Sequence, residues 1–326
     1  MTTKHGHPLG GIDLGGTKIL SVVLAGDGSV LGEDLRPTLA DEGPAAVIGR
    51  MVASLRKSLR IAGVDDEQLH AIGVCAPGPI DIAKGVITTA ANLPGWRDVP
   101  LASIIKREFD ASCRLENDAN AAAIAEHRWG AGRGSRDMLF LTVSSGIGGG
   151  IIINGEIYRG KSGASGEVGH MSLNPRGPRC GCGRRGCLEA YASGLGLTRE
   201  AKALVRKRPD SLLTQMAATT PLSGRLLHDA ADAGDEGAIE LIATAGRYLG
   251  IGLANLINIF DPEIIVLGGS LTKMGDLYLG PMRESVASES YPPQAFQSVR
   301  IVVGELGDRA PALGAAAIGQ ESSLRR

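Results

Sequence analysis

The sequence predicts an α/β protein of two domains packed around a cleft, and three observations lead to this prediction. Short runs of β-forming residues alternate with helical patterns along 326 residues, a length sufficient for two separate cores. Aromatic residues make up only 3% of the chain and 47 residues are glycine, so closely packed aliphatic side chains must form the core. Glycine-rich turns accompany three predicted strands, at residues 11–18, 144–150 and 264–270.

The N-terminal part begins with three predicted strands at residues 9–14, 19–25 and 29–35, the last two joined by a hairpin turn at 26–28. A helical pattern covers residues 44–61, with Pro44 near its first turn and Gly63 just beyond its end. The following segments predict a strand at 69–76, a helix at 101–109, a strand at 113–116 and an alanine-rich helix at 118–129.

The C-terminal part repeats the arrangement of strand, glycine turn and strand at residues 138–153. Residues 198–249 have a largely helical pattern, with polar breaks around 206–210 and 219–224. Apolar positions at helical spacing over 239–260 predict a helix with one buried face. Strands are expected at 264–267 and 299–303, and a final helix at 311–319. We expect one domain to comprise residues 1–117 and about 304–326, and the other to comprise residues 118–303.

Charge and hydropathy exclude several classes of function. The 34 basic and 35 acidic side chains nearly cancel, so no basic excess favours a nucleic-acid or membrane-surface partner. The apolar stretch 251–260 is too short to cross a bilayer. Residues 1–8 contain no apolar signal core, and we therefore expect a cytoplasmic protein.

The glycine turns are typical of phosphate binding. Backbone amides approach a phosphate closely only where side chains are absent, and glycine also permits the positive φ that such turns require. The first turn has Asp13 two residues before its Gly-Gly pair and Lys18 two residues after it. Three such turns on separate strands predict an ATP cleft.

Three cysteines and one histidine form a second notable motif. Cys180, Cys182 and Cys187 have the spacing C-x-C-x₄-C on a glycine-rich loop, and His170 lies ten residues upstream. A Cys₃His set is a closed tetrahedral site, which predicts structural zinc, and nearby arginines would offset the thiolate charge. The alternatives are a disulfide, which would leave one thiol unpaired and lacks an export signal, or inert thiols.

Taken together, these motifs resemble those of the ROK family of repressors, open reading frames and sugar kinases. The resemblance covers essentially the whole chain and rests on five segments in order: the first glycine turn, residues 116–120, the second glycine turn, residues 163–170, and the cysteine run that ends at Glu189. It implies the two-domain actin-like, ribonuclease-H-like ATPase fold.

The resemblance also implies a catalytic residue and a sugar site. Asp118 would be the general base that takes a proton from the attacking sugar hydroxyl. From the residues alone, an N-cap at the start of an alanine-rich helix is the favoured role of Asp118. Within the ordered family motif the catalytic role is favoured instead, and Asn117 or Asn120 could share the capping. The residues expected to bind sugar are Asn92, Asn117, Asp118, Glu167, His170 and Glu189. His170 would place one ring nitrogen on zinc and the other toward a sugar hydroxyl.

The nucleotide site is implied in the same way. Asp13 would hold Mg²⁺, through water, beside the phosphates. The other residues expected at ATP are Gly15, Gly16, Thr17, Lys18, Ser145, Gly146, Gly148, Gly268 and Gly269. Ser144 departs from the family pattern, because the family usually has glycine at that position.

The expected function is ATP-dependent phosphorylation of a hexose at its 6-hydroxyl, with glucose as the favoured sugar. The alternatives are an N-acetylglucosamine or N-acetylmannosamine kinase, a fructose or allose kinase, and a non-catalytic sugar-sensing regulator. Only ten residues precede Gly11, too few for the helix-turn-helix module of such a regulator. The resemblance further implies a homodimer or higher homo-oligomer.

Overall fold

The structure is a computed structural model that describes residues 8–90 and 92–321. These residues form two units. The first contains the described residues within Met1–Arg136, Gly150–Gly166 and Glu305–Arg326, and the second those within Asp137–Gly149 and Glu167–Gly304. None of the helices in the described ranges is long and apolar enough to cross a membrane.

The elements follow one another in an alternating α/β order. The first part of the chain contains β1 (Leu9–Leu14), β2 (Lys18–Leu24), β3 (Val30–Pro37), α1 (Gly43–Ala62), β4 (Ala71–Ala76), β5 (Ile80–Asp81), β6 (Val86–Thr89), β7 (Arg97–Val99), α2 (Leu101–Phe109), β8 (Ser112–Asn117) and α3 (Asp118–Trp129). The second part contains β9 (Met138–Val143), β10 (Ile147–Ile153), β11 (Glu156–Ile157), α4 (Leu188–Ala192), α5 (Gly194–Lys207), α6 (Leu212–Ala217), α7 (Gly224–Asp232), α8 (Glu236–Phe260), β12 (Ile264–Gly268), α9 (Asp276–Glu289), α10 (Pro293–Ser298), β13 (Arg300–Val303) and α11 (Ala310–Glu321).

The main sheet of the first unit has the strand order β3-β2-β1-β4-β8. Strands β1, β2 and β3 are antiparallel neighbours, whereas β4 and β8 continue the sheet in parallel with β1. Every residue of β1 and β4 is buried, as expected for central strands covered on both faces. The carboxyl ends of β1 and β8, where Asp13 and Asn117 lie, therefore point to the same edge of the sheet.

The first unit differs from the expected domain, because helix α3 belongs to it. At Gly314 of α11, an added Cβ would overlap the carbonyl oxygen of Ala121 in α3, so the two helices approach closely. The helices share a buried cluster that includes Ile124 and Ile318. Residues 150–166 also join this unit. The C-terminal helix therefore places the start of α3, including Asp118, in the first unit.

The sheet of the second unit contains the parallel neighbours β9, β12 and β13. Gly268 of β12 pairs in register with Thr142 of β9, so the glycine turns that follow these two strands lie side by side. Helices α8 and α9 pack closely at Gly246 and Gly250, where a Cβ would overlap backbone carbonyls of Tyr278 and Met282. Helix α9 was not expected, because Gly280 and Pro281 within it interrupt a helical pattern.

Candidate active site and metal centre

The first glycine turn joins β1 to β2 and is held by backbone and side-chain hydrogen bonds. The amide of Gly15 donates to the carbonyl oxygen of Lys18 at 2.9 Å, and the Thr38 hydroxyl donates to the carbonyl oxygen of Gly15 at 2.7 Å. A Cβ at Gly16 would lie 3.0 Å from the Cβ of Asn92. The structure therefore brings Asn92, an expected sugar ligand, against the expected phosphate turn.

Asp13 is the last residue but one of β1 and is 8% exposed. Its Oδ1 accepts a hydrogen bond from the Cys75 thiol at 3.5 Å. Burial and, after it, the nearby Asp118 carboxylate together raise the pKa of Asp13 to about 7. The Asp308 carboxylate also raises the pKa of Asp13, and it forms an ion pair with Nζ of Lys18 at 2.8 Å. Three carboxylates against one ammonium make a region that favours a hard cation.

The start of α3 separates the two roles that the sequence left open for Asp118. Asn117 is the N-cap, and its Oδ1 accepts hydrogen bonds from the amides of Ala119 at 2.9 Å and Asn120 at 3.2 Å. Asp118 is the first helical residue, and its Oδ1 accepts from the Ala119 amide at 2.8 Å. The carboxylate thus lies at the positive end of the helix, where its charge is stabilised. Asn120 takes no part in capping and is buried.

Glu116 is a functional candidate that the sequence reading did not single out. It is fully buried at the end of β8. Its Oε1 accepts from the amide of Asn117 at 3.1 Å and from Nδ2 of Asn120 at 3.0 Å, and its Oε2 accepts from Nε of Arg159 at 2.6 Å. A buried carboxylate is tolerated when it is paired in this way. The available signal was its position as the first residue of the family segment 116–120.

In the second unit, the second and third glycine turns contact each other. Gly269 has φ +91°, and a Cβ there would overlap the backbone of Val143. Ser144 and Ser270 share a hydrogen bond between their hydroxyls at 3.0 Å. The serine that replaces the expected glycine therefore links the two turns. Ser145 is exposed beside it, and Gly148 belongs to β10.

Glu189 connects the second glycine turn to the cysteine cluster. It lies in the first turn of α4, and its Oε2 accepts from the amide of Ile147 at 3.0 Å. Gly146 must lack a side chain, because its Cβ would lie 2.5 Å from the same Oε2. The other oxygen, Oε1, accepts from the Cys180 thiol at 3.5 Å and lies 4.0 Å from Nδ1 of His170. One carboxylate thus contacts both motifs.

The four predicted metal ligands converge. The donor atoms of His170, Cys180, Cys182 and Cys187 all lie within 4.8 Å of one another. Nδ1 of His170 is 3.7 Å from the Cys180 sulfur, and the sulfurs of Cys182 and Cys187 are also 3.7 Å apart. A tetrahedral zinc with Zn–S bonds of about 2.3 Å has ligand–ligand distances of roughly 3.8 Å. The donor set and its spacing therefore fit zinc.

The charge around this cluster also favours a metal. The backbone of Arg184 and its side chain donate to Cys182 and lower the pKa of that thiol to about 6. Burial instead raises the pKa of Cys180 to about 12, a cost that metal binding would remove. The guanidinium of Arg184 additionally donates to the carbonyl oxygen of His170 at 3.2 Å. Arg184 thus performs the charge-balancing role expected of the local arginines.

The remaining ring nitrogen of His170 lies near a second carboxylate. Nε2 lies 3.9 Å from Oε2 of Glu167, whose side chain is 60% exposed. His170, Glu167 and Glu189 therefore form one cluster in the second unit. The other expected sugar ligands, Asn92, Asn117 and Asp118, belong to the first unit.

Comparison with known proteins identifies the family of this chain. The model of the ROK family matches residues 9–322. A glucokinase of Thermotoga maritima is 35% identical over 312 residues, which cover 95% of this chain and 96% of that protein. A xylose repressor of Caldicellulosiruptor bescii is 32% identical over 308 residues, or 94% of this chain and 77% of that protein.

A solved structure is similar over nearly the same length. The ROK family glucokinase from Streptomyces griseus, in complex with glucose and AMPPNP, has 32% sequence identity and a TM-score of 0.83. The similarity covers 96% of this chain and 99% of that one. The predicted α/β architecture is confirmed as the two-domain actin-like, ribonuclease-H-like fold. The resemblance read from the motifs is confirmed as well, and the chain belongs to the ROK family.

Proposed function

We propose that the protein is an ATP-dependent sugar kinase that phosphorylates the 6-hydroxyl of a hexose, with glucose as the favoured substrate. The observation that carries the proposal is that Asn117 and Asp118 have different roles at the start of α3. Asn117 caps the helix, so Asp118 is not needed for that purpose and can act on a substrate. The glucokinase relatives support the same reaction class.

In the proposed reaction Asp118 is the general base. Its carboxylate would accept the proton of the attacking sugar hydroxyl, and the oxygen would then form a bond to the γ-phosphorus of ATP while the bond to ADP breaks. The helix N-terminus stabilises a negative charge at this position, and the hydrogen bond from Ala119 at 2.8 Å orients the carboxylate. Asn117 and the buried Glu116 network hold the turn that carries it.

The sugar would be bound by Asn92, Asn117, Asp118, Glu167, His170 and Glu189. These side chains offer carboxylate, amide and imidazole groups that match sugar hydroxyls, and an unmatched buried group costs about 1–3 kcal/mol. We propose that Nδ1 of His170 faces the metal, because it lies 3.7 Å from the Cys180 sulfur, and that Nε2 meets the sugar. Structural zinc, held by His170 and the three cysteines, would fix this ring orientation.

The phosphates of ATP would lie against the glycine turns. The proposed contacts are Asp13, Gly15, Gly16, Thr17, Lys18, Ser145, Gly146, Gly148, Gly268 and Gly269. Mg²⁺ would supply charge neutralisation at the phosphates. Asp13 is suited to face that ion, because the carboxylates of Asp118 and Asp308 already act on it and a cation would relieve their repulsion.

The test is ADP release with Mg-ATP across glucose, N-acetylglucosamine, N-acetylmannosamine, mannose, fructose and allose. We expect activity with glucose, and loss of turnover by at least about 10³-fold in Asp118→Asn with sugar binding retained. Asp110→Asn is the matched control, since Asp110 is an exposed aspartate of the same unit at the end of α2. Near-normal activity of Asp118→Asn would contradict the assigned mechanism.

The same panel distinguishes the alternatives. Activity confined to an N-acetylhexosamine would identify that class of kinase, and activity confined to fructose or allose would identify another. The repressor relative supports a second candidate, a sugar-sensing regulator without catalysis. That candidate predicts sugar binding in a thermal-shift assay with no ADP release. We further propose a cytoplasmic homodimer or higher homo-oligomer that takes no nucleic-acid partner, which sedimentation and fractionation can check.

A further inference from the structure

A cavity of about 500 Å³ lies in the first unit, apart from the residues proposed to bind sugar and ATP. It is formed by the loop between β5 and β6, one face of α2, strand β8, and single residues from the segment after β11 and from α11. This volume falls in the range of cavities that hold small metabolites. The cavity is built within one unit, and the proposed reaction makes no use of it.

The charged groups of the cavity are mainly basic. Lys84, Lys106, Arg114 and Arg159 line it, whereas Glu116 is the one acidic residue among the described residues of the lining. The Glu116 carboxylate is already paired with Arg159 at 2.6 Å, and Lys84 is paired with Asp81 at 3.0 Å. Within the described residues, Lys106 takes part in no ion pair. An excess of positive charge over a concave surface attracts an anion, and phosphate makes charge-assisted hydrogen bonds with both lysine and arginine.

The cavity is directly connected to the start of α3. Arg159 lines the cavity and also donates to Oε2 of Glu116, whose Oε1 accepts from the amide of Asn117. Asn117 in turn caps the helix that begins at Asp118. An anion that shares the Arg159 guanidinium would weaken its bond to Glu116 and thereby change how firmly the Asn117–Asp118 turn is held.

From this geometry we propose that the cavity is a regulatory site for a small phosphate-bearing molecule, which acts on Asp118 through Arg159, Glu116 and Asn117. Free phosphate and a phosphorylated sugar share the required chemistry. The proposal rests on a basic cavity in which Glu116, the acidic group among the described lining residues, accepts a hydrogen bond from the amide of Asn117.

Calorimetric titration of the zinc-loaded chain with inorganic phosphate, and separately with glucose 6-phosphate, tests the binding. We expect the double variant Lys84→Gln, Lys106→Gln to bind about tenfold or more weakly than the wild-type chain. Arg107→Gln is the matched control, because Arg107 lies on the same helix and does not line the cavity. It should bind within about twofold of the wild-type chain. Because glucose 6-phosphate is also the product of the proposed reaction, only the binding that the double variant loses is assigned to the cavity. A larger loss for glucose 6-phosphate than for phosphate would identify a phosphorylated sugar as the source.

Hydrogen exchange tests the connection to α3 without any activity measurement. The ligand that binds should change the exchange rate of the Asn117 amide in the wild-type chain and in Arg107→Gln, and leave it unchanged in the double variant. Absence of binding would overturn the site. Equal binding by the double variant and the wild-type chain would also overturn it, and would place the anion at the glycine turns instead. Binding without a change at Asn117 would overturn the regulatory connection. None of these results depends on whether the chain is a kinase.

Discussion

Glu126 is predicted to hold the C-terminal segment to helix α3. Its side chain is 1% exposed. Oε1 accepts from the amide of Leu306 at 2.9 Å, and Oε2 accepts from the amides of Ala131 at 3.0 Å and Glu305 at 3.2 Å. The segment that it holds leads directly to Asp308, the ion-pair partner of Lys18. Substitution of Glu126 should therefore loosen both the fold and the first glycine turn.

The expected cost follows from the number of amides left without an acceptor. Glu126→Gln preserves the side-chain volume but replaces one carboxylate oxygen with an NH₂ group. At least one of the three backbone amides then faces a group that cannot accept its hydrogen bond. Each unpaired buried amide costs about 1–3 kcal/mol, and we expect the variant to lose that amount of unfolding free energy. Glu126→Ala leaves all three amides unpaired, although partial access of water limits the loss to roughly 3–5 kcal/mol.

The assay combines urea unfolding with hydrogen exchange of the amides of Ala131, Glu305 and Leu306. Exchange should accelerate at these positions in Glu126→Gln before it does so elsewhere in the first unit, because their acceptor is the group that changes. Glu284→Gln is the control, since Glu284 is an exposed glutamate within a helix and should change stability by less than about 0.5 kcal/mol. If Glu126→Gln were as stable as the control with the three amides still protected, the reasoning would be refuted.

Three further predictions follow from the same structure. Asp13→Asn should stabilise the fold, because a pKa raised from 3.8 to about 7 means that the ionised wild-type carboxyl costs stability as pH rises between these values. The advantage of the variant should grow by about 2 kcal/mol between pH 5.5 and pH 8 in magnesium-free urea unfolding, and a constant difference would contradict it. Gly314→Ala should destabilise the first unit by about 1–3 kcal/mol or more in the same assay, since its Cβ would overlap Ala121. Gly49→Ala, in an open helical position, should be neutral or stabilising by up to about 1 kcal/mol. Elemental analysis should find one zinc per chain, lost in Cys182→Ser together with a lower melting temperature, whereas Cys113→Ser should keep it.

Local patterns predicted the elements of the site well. The bounds of β1, α2 and β9 match those expected, because alternation, helical spacing and glycine or proline boundaries are properties of neighbouring residues. The C-x-C-x₄-C run with His170 likewise predicted the cluster of donor atoms that the fold brings together. The types of the ligand residues and their spacing are sufficient to predict the cluster, and the surrounding packing need not be known.

Other features could not be read from the chain. Asn117, Asp118 and Asn120 are all possible caps in sequence, and only the backbone direction at the end of β8 places Oδ1 of Asn117 on the free amides. The pairing of Glu116 with Arg159 could not be predicted either, because Arg159 is 43 residues away along the chain.

Residue order alone thus specified most strands of the two five-stranded sheets, several of the helices, the glycine turns and the metal-binding spacing, since each depends on interactions within a few residues. The allocation of α3 to the first unit was decided by packing against α11, about 190 residues later, where Gly314 admits the backbone of Ala121. Such a contact depends on the complementary shapes of two helix surfaces that are far apart along the chain. The periodic pattern of each helix shows which of its faces is buried, but not which helix packs against that face.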